Sequence, residues 1–335
     1  MITISAWAAK EKGGLLKKFT YQSEIRPLET LVKVKYCSLT RGDIRFIDNF
    51  WGDIVYPVVP GLEIIGVVEE TGSEVKNLKI GEYVGIGYQI GSCFKCEYCL
   101  SGKEQFCASQ KVIPINGYGG LAEQIIVDYR FCFPLPKNLQ TPEAAPLMCS
   151  GLTPFSAIRK AGVKRGMKTG VVGIGSLGHL TIQVLNKIGC DVTAFSHSKN
   201  KEVILNKLGV NKSSSSTDDK ELSRFVRKFD FIISTSSASL NWDQYLKALK
   251  PNGTLCFVGL PPENISFKAE LLADYAQKII LGSYIGSRKD MKDLLKFAAE
   301  NEIKAVANIF PIKGINEAIE KMRNSEIPFS TVIVV

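Results

Sequence analysis

The sequence contains no apolar run approaching the roughly 20 residues that span a bilayer; stretches such as 279–285 and 332–335 fall far short. No membrane association is expected. It shows no targeting signal either: Met1 leads directly into the alternating segment Ile2-Thr3-Ile4-Ser5-Ala6-Trp7, without a basic region or a small-residue cleavage site. Cytoplasm is the expected location. Long basic runs interleaved with aromatics are missing, although Lys and Arg total 42 against 33 acids, a net charge of +9. Lysines scattered or at helical spacings signify solubility, so no nucleic-acid partner is expected. Beyond the short run from Ser213 to Ser216 there is no low-complexity tract, which excludes long disordered regions. Histidine is scarcest of all, with two in the chain, His179 and His197.

What is present is an ordinary globular composition. The 335 residues, 45% hydrophobic and 22% charged, provide for a sizeable core and favour two domains over one. Up to about residue 135 the chain reads as short strands punctuated by Gly and Pro, at 31–37, 63–70, 82–86, 122–128 and 131–133. From about Thr141 the period changes. Apolar strands at 170–173, 191–196, 229–234 and 253–258 alternate with amphipathic helices at 176–188, 201–208 and 242–249, which predicts a parallel sheet covered by helices. A last segment, with helices near 290–301 and 316–324 and a strand at 330–335, is too short to stand alone and is expected to pack onto the β-rich half.

Gly173-Ile174-Gly175-Ser176-Leu177-Gly178 matches G-x-G-x-x-G between a strand and an apolar-periodic helix, the context in which backbone amides and the positive helix end face a pyrophosphate. The next strand ends in Ser196-His197-Ser198-Lys199-Asn200-Lys201, with no acid where an NAD site places one for the ribose diol. Hydroxyls and lysines suit a 2′-phosphate instead, so NADP(H) is the expected cofactor. The rival reading of Lys199 and Lys201 is the start of a solvated helix face.

Nine cysteines are an odd number, and four of them crowd into Cys93-x2-Cys96-x2-Cys99-x7-Cys107. Four thiolates close a tetrahedral zinc shell with no open position, so one structural zinc per chain is expected, holding the loop and doing no chemistry. An iron–sulfur cluster is the competing reading. Cys37, Cys132, Cys190 and Cys256 are expected to be small core residues.

Together the β-rich half, the four-cysteine loop and the later βαβ series resemble the zinc-type medium-chain alcohol dehydrogenases, in their cinnamyl alcohol dehydrogenase-like branch, over nearly the whole chain. The strings Val59-Pro60-Gly61-Leu62-Glu63, Gly119-Gly120-Leu121-Ala122-Glu123, Pro146-Leu147-Met148-Cys149-Ser150-Gly151 and Gly173 to His179 carry the likeness. The resemblance implies an α/β protein: a GroES-like catalytic domain at 1–150 and 286–335, its zinc loop at 93–107, and a Rossmann NADP-binding domain at 151–285. It implies an active-site cleft between the two, a small-molecule substrate and a homodimer. It also implies cofactor contacts from Arg41, Thr153, the glycine turn with Ser176 and Leu177, and Ser196, Ser198 and Lys201.

The departures from the family pattern carry the most information. Relatives hold a catalytic zinc with a Cys, a His and a second Cys. Here Thr40-Arg41-Gly42-Asp43 puts a hydroxyl at the first position and Leu62 stands at the second, leaving Cys149 alone. Gly42 also removes the hydroxyl that relays the alcohol proton. Neither histidine is placed to substitute, and Thr40, Glu63 and Cys149 would form at most a weak site. Losing a Lewis acid forfeits several kcal/mol of transition-state stabilisation, which leaves hydride transfer to an activated aldehyde, enone or imine-like substrate. Thr40 and Tyr88 are candidate hydroxyl donors, and Asp43 and Glu63 are retained carboxylates that Arg41 or Arg45 would compensate. Phe50 and Trp51 are candidates for a substrate pocket or for core packing. Ser330 stands where many relatives carry an arginine, removing one cofactor contact. Two alternatives remain open at this level: a conventional aldehyde reductase with a rebuilt metal site, and a catalytically silent NADPH-binding protein.

Overall fold

The structure, a computed structural model, describes residues 1–197, 202–210, 212–273 and 275–335. Its chain divides into two compact units, Met1–Ser150 with Ser287–Val335, and Gly151–Gly286. No helix among the described residues is long and apolar enough to cross a membrane.

The first unit is built on a seven-stranded sheet in the order Ala307–Pro311, Ser330–Val334, Glu29–Leu39, Glu63–Thr71, Tyr83–Ile86, Phe133–Pro134, with Gln124–Asp128 also paired to Glu29–Leu39. The strand Glu29–Leu39 is the hub, antiparallel to its neighbours on both sides. Its residues Leu31, Val32, Val34, Cys37 and Leu39 are buried, and they join Ile4, Ile64, Val68, Val84 and Ile86 in one core. The return segment supplies Ile315, Ala318, Ile319 and Ile333 to the same core, so it packs back onto the β half as its length required. At 131–133 the expected strand is different: Tyr129–Phe131 is a 3-10 turn, capped by Asp128 accepting from the Arg130 amide, and Phe133–Pro134 pairs only briefly.

The second unit is a six-stranded, all-parallel sheet in the order Lys212–Ser215, Asp191–Ser196, Lys168–Val172, Phe229–Ser234, Leu249–Phe257, Ile279–Gly282. Numbered along the chain within this unit, that is strand order 3-2-1-4-5-6, the doubly wound arrangement of the Rossmann fold. The strands Val171–Val172 and Ile232–Ile233 are buried on both faces, as a parallel sheet covered by helices requires. The helix Ser176–Ile188 ends at Gly189, whose φ of 93° is left-handed and closes the C-terminus without a Cβ penalty.

Candidate active site and metal loop

The glycine turn lies at the end of Lys168–Val172 and opens the helix Ser176–Ile188. Its three glycines do different work. Gly173 adopts φ +83°, and a Cβ there would lie 2.9 Å from Ser236. A Cβ on Gly178 would lie 2.1 Å from the Gly173 carbonyl oxygen, so helix and turn touch through bare backbone. At Gly175 a Cβ would meet nothing within 4 Å. That glycine is not required by packing; it leaves open the space that a pyrophosphate occupies at a helix N-terminus, and the turn fits a dinucleotide on this ground. Ser176 and Leu177 form the first helical turn. Ser196 is buried at the end of the neighbouring strand, Ser198 and Lys201 lie outside the described residues, and Thr153 is buried in the helix Leu152–Lys160.

Cys93, Cys96, Cys99 and Cys107 converge in the first unit, with their four sulfurs within 4.8 Å of one another. The Cys93 and Cys99 sulfurs are 3.9 Å apart; two thiolates on one tetrahedral zinc with bonds of about 2.3 Å stand about 3.8 Å apart, so the loop fits the metal. The Lys95 and Cys96 amides donate to the Cys93 sulfur and hold its thiol down at about 6, towards the thiolate that a metal needs. The loop is fastened from outside by Phe94, with the Arg130 guanidinium 3.6 Å and the Arg288 guanidinium 5.2 Å from its ring centroid. Arg288 also pairs with buried Glu104 at 3.1 Å. Sequence reasoning missed this clasp, because its members are far apart in the chain. Of the four dispersed cysteines, Cys37, Cys132 and Cys256 are buried as expected, whereas Cys190 is half-exposed in the turn after the long helix.

The positions matching the family's catalytic site gather around the short helix Arg41–Ile47, which strand patterning had not revealed. Its signature was in the sequence: Thr40 and Asp43 form a reciprocal capping box. The Thr40 amide and hydroxyl donate to Asp43 Oδ2 at 2.7 and 2.9 Å, the Asp43 amide donates to Thr40 Oγ1 at 3.3 Å, and Asp43 Oδ1 accepts the Gly61 amide at 2.7 Å. Asp43 is served by the Thr40 and Gly61 amides and by the Thr40 hydroxyl. Arg41 donates to Ser325 Oγ at 2.8 Å, and Arg45 lies over the rings of Phe50 and Trp51 at 4.9 and 5.9 Å. Phe50 and Trp51 are exposed, not core. Burial pushes the Asp43 carboxyl up to about 6 and that of Glu63 up to about 8.

Glu63 Oε1 accepts the Ser150 amide at 2.5 Å, which brings the Cys149–Ser150 backbone against it. Leu62 is buried. Among the described residues the four-cysteine loop alone gathers three or more His, Cys, Asp or Glu side chains around one point; Asp43, Glu63 and Cys149 do not form such a group. With Leu62 unable to ligate and a neutral hydroxyl at Thr40, Cys149 is the one thiol left among the positions that match the family's zinc ligands. Tyr88 is half-buried, and its ring stacks 6.5 Å from Phe46 of the capped helix, which brings a phenol to the same neighbourhood.

Residues 26–137 match the alcohol dehydrogenase GroES-like domain, and residues 176–300 match the zinc-binding dehydrogenase domain. The chain is 34% identical to the aldehyde reductase AdhA of Synechocystis sp. over 98% of both chains. Among solved structures it resembles the cinnamyl alcohol dehydrogenase SbCAD4 from Sorghum bicolor, with a TM-score of 0.95 and 31% identity over 99% of this chain and 98% of that one. The CAD from Helicobacter pylori complexed with NADP(H) gives a TM-score of 0.92 and 28% identity over the same shares. Fold and site thus define an oxidoreductase of the alcohol dehydrogenase kind, with a GroES-like unit and a Rossmann unit. The chain belongs to the zinc-type medium-chain alcohol dehydrogenase family, in its cinnamyl alcohol dehydrogenase-like branch.

Proposed function

We propose that this protein is an NADP(H)-dependent reductase that delivers hydride to an activated aldehyde, enone or imine-like small molecule without a catalytic zinc, while the four-cysteine loop holds a structural one. The carrying observation is the donor set. Leu62 is buried where a ligand would stand, and the Thr40 hydroxyl spends its single proton on Asp43. NADP(H), when bound, supplies the hydride. The Gly173–Gly178 turn receives its pyrophosphate, and the buried Ser196 hydroxyl, with no carboxylate beside it in the sequence, favours the 2′-phosphate. The NADP(H) complex of the Helicobacter pylori relative supports the same choice.

With its hydroxyl engaged, Thr40 holds the helix start and the Gly61 turn rather than donating to substrate. Tyr88 is then the proton donor of this reading, meeting the charge that develops on oxygen, nitrogen or the conjugated carbon as hydride arrives at the electrophilic carbon. Nine cysteines, four of them gathered in a metal loop, suit a reducing cytoplasm. The strand Ile279–Gly282 is an edge of its sheet, with Ile279 exposed, and its pairing with a second copy would give the homodimer.

Zinc per chain tests this reading, on protein purified without added metal and passed through a mild chelating resin. About one zinc is expected, together with NADPH-dependent reduction of conjugated enones or imines and no robust oxidation of simple alcohols. About two, with chelator-sensitive aldehyde reduction, would overturn the metal-free part. Tight NADPH binding with no turnover on aldehydes, enones, quinones or imines would overturn the catalytic part.

A further inference from the structure

Reversal of strand order in the second unit sets the ends of two strands side by side, Lys168–Val172 leading into the glycine turn and Phe229–Ser234 leading into the loop Thr235–Ser236–Ser237. Ligands of doubly wound sheets bind at this switch point. The second strand's loop is fastened to the turn. The Thr235 amide donates to the Val172 carbonyl at 2.9 Å, and its hydroxyl donates to the Gly173 carbonyl at 2.6 Å. That same carbonyl is the atom on which Gly178 packs, and Ser236 covers the face of Gly173 where a side chain would otherwise project. The loop is itself braced from behind. The Val258 and Gly259 amides donate to the Ser234 carbonyl at 3.0 and 2.9 Å, and a Cβ on Gly259 would lie 2.2 Å from the Ser236 carbonyl oxygen.

A glycine at φ +83° leaves its following peptide plane free of the steric walls that hold other residues. Because a trans peptide sets its N–H opposite its C=O, whatever holds the Gly173 carbonyl also decides which way the turn presents its amide edge. We propose that Thr235 is a positioning residue for the dinucleotide, its hydroxyl holding the Gly173–Ile174 peptide in the orientation that receives the pyrophosphate. The inference rests on the turn being the cofactor site. Ser234 does not share the task, since its hydroxyl is buried and has no hydrogen-bond partner among the described residues. Without the tether the turn samples other peptide orientations, and the cofactor must select the competent one, so affinity falls by the competent fraction.

Thr235→Val keeps the side-chain shape and removes the donor, Thr235→Ser keeps the donor, and Thr235→Cys offers a weaker one. Coenzyme fluorescence titrations of the full chain with NADPH and with NADH, alongside melting of the free protein, separate the outcomes. Thr235→Val is expected to weaken both coenzymes in the same proportion, by roughly tenfold for one lost hydrogen bond. Thr235→Ser should stay within about twofold of the unmodified chain and Thr235→Cys should fall between. A rise in KM for NADPH with little change in kcat would accompany the loss. An unchanged affinity in Thr235→Val, or an equal loss in Thr235→Ser, would overturn the proposal. An unmodified chain that binds neither coenzyme would instead overturn the cofactor reading on which it rests.

Discussion

Glu63 holds the Ser150 amide at 2.5 Å through Oε1, while its other oxygen is buried and has no hydrogen-bond partner among the described residues. The Ser38 hydroxyl faces this carboxyl without closing a bond of ordinary geometry. A fully buried carboxylate with one oxygen unserved is costly, and protonation is the relief. Burial accordingly raises Glu63 to about 8 and Asp43 to about 6, both above the ordinary carboxylate range.

The direction of the resulting pH dependence follows from linkage. The folded chain keeps protons that the unfolded chain releases, so the stabilising contribution is complete below the unfolded value and is lost as pH rises through the folded one. Melting temperature is expected to fall by at least a few degrees between about pH 5 and pH 8. Glu63→Gln, neutral throughout, should remove most of that slope. A melting temperature that climbs across the same window in the unmodified chain but not in Glu63→Gln would show that Glu63 is ionised in the folded state.

Leu62 and Gly42 fit one another. A Cβ on Gly42 would lie 3.2 Å from Leu62 Cδ1 and 3.1 Å from Thr40 Oγ1, so a side chain at this position is crowded from both sides. Gly42→Ser is expected to cost about 1 kcal/mol in the present chain and less once Leu62 is shortened to Ala. Denaturant melts of the two single variants and the double variant should return a coupling of about 0.5–1 kcal/mol. Strict additivity would mean that the two departures are independent.

Much of this architecture could be read from periodicity. The helix Ser176–Ile188 and the strands Asp191–Ser196 and Phe229–Ser234 appear where their apolar spacing put them, because long buried elements in a parallel sheet leave the strongest pattern. The helix Arg41–Ile47 did not stand out, being two turns long and fixed by a cap rather than by an apolar stripe. Thr40 and Asp43 were legible as site positions, yet not as partners of each other. Thr235 was invisible for a different reason: its role comes from strand order, which brings residues 173 and 235 together only after folding. The clasp of Arg130 and Arg288 on Phe94 depends likewise on tertiary closure.

The glycine turn allows folding and binding to be separated. Gly178→Ala drives a methyl into the Gly173 carbonyl oxygen and is expected to cost roughly 2 kcal/mol or more of stability. Gly175→Ala puts its methyl into open space, at a helix cap where Gly and Ala differ by about 1 kcal/mol or less. Its free form should therefore melt close to the unmodified chain, while its affinity for NADPH falls at least tenfold as the methyl takes the pyrophosphate's place. Undiminished binding by Gly175→Ala, in titrations run beside the melts, would mean that the cofactor does not approach this glycine.

Cofactor choice is open to a charge test at Ser196. This residue ends the strand beside the glycine strand, with its side chain buried and its carbonyl accepting the Ser216 amide at 3.1 Å. A carboxylate there would meet the ribose of NADH as a hydrogen-bond acceptor and the 2′-phosphate of NADPH as a like charge. Ser196→Asp is expected to weaken NADPH by at least tenfold while leaving NADH within a few-fold, or improving it. The effect should shrink as salt is raised, since screening reduces repulsion but not a lost fit. Equal weakening of the two coenzymes, insensitive to salt, would show that the residue acts through packing and that the phosphate is held elsewhere.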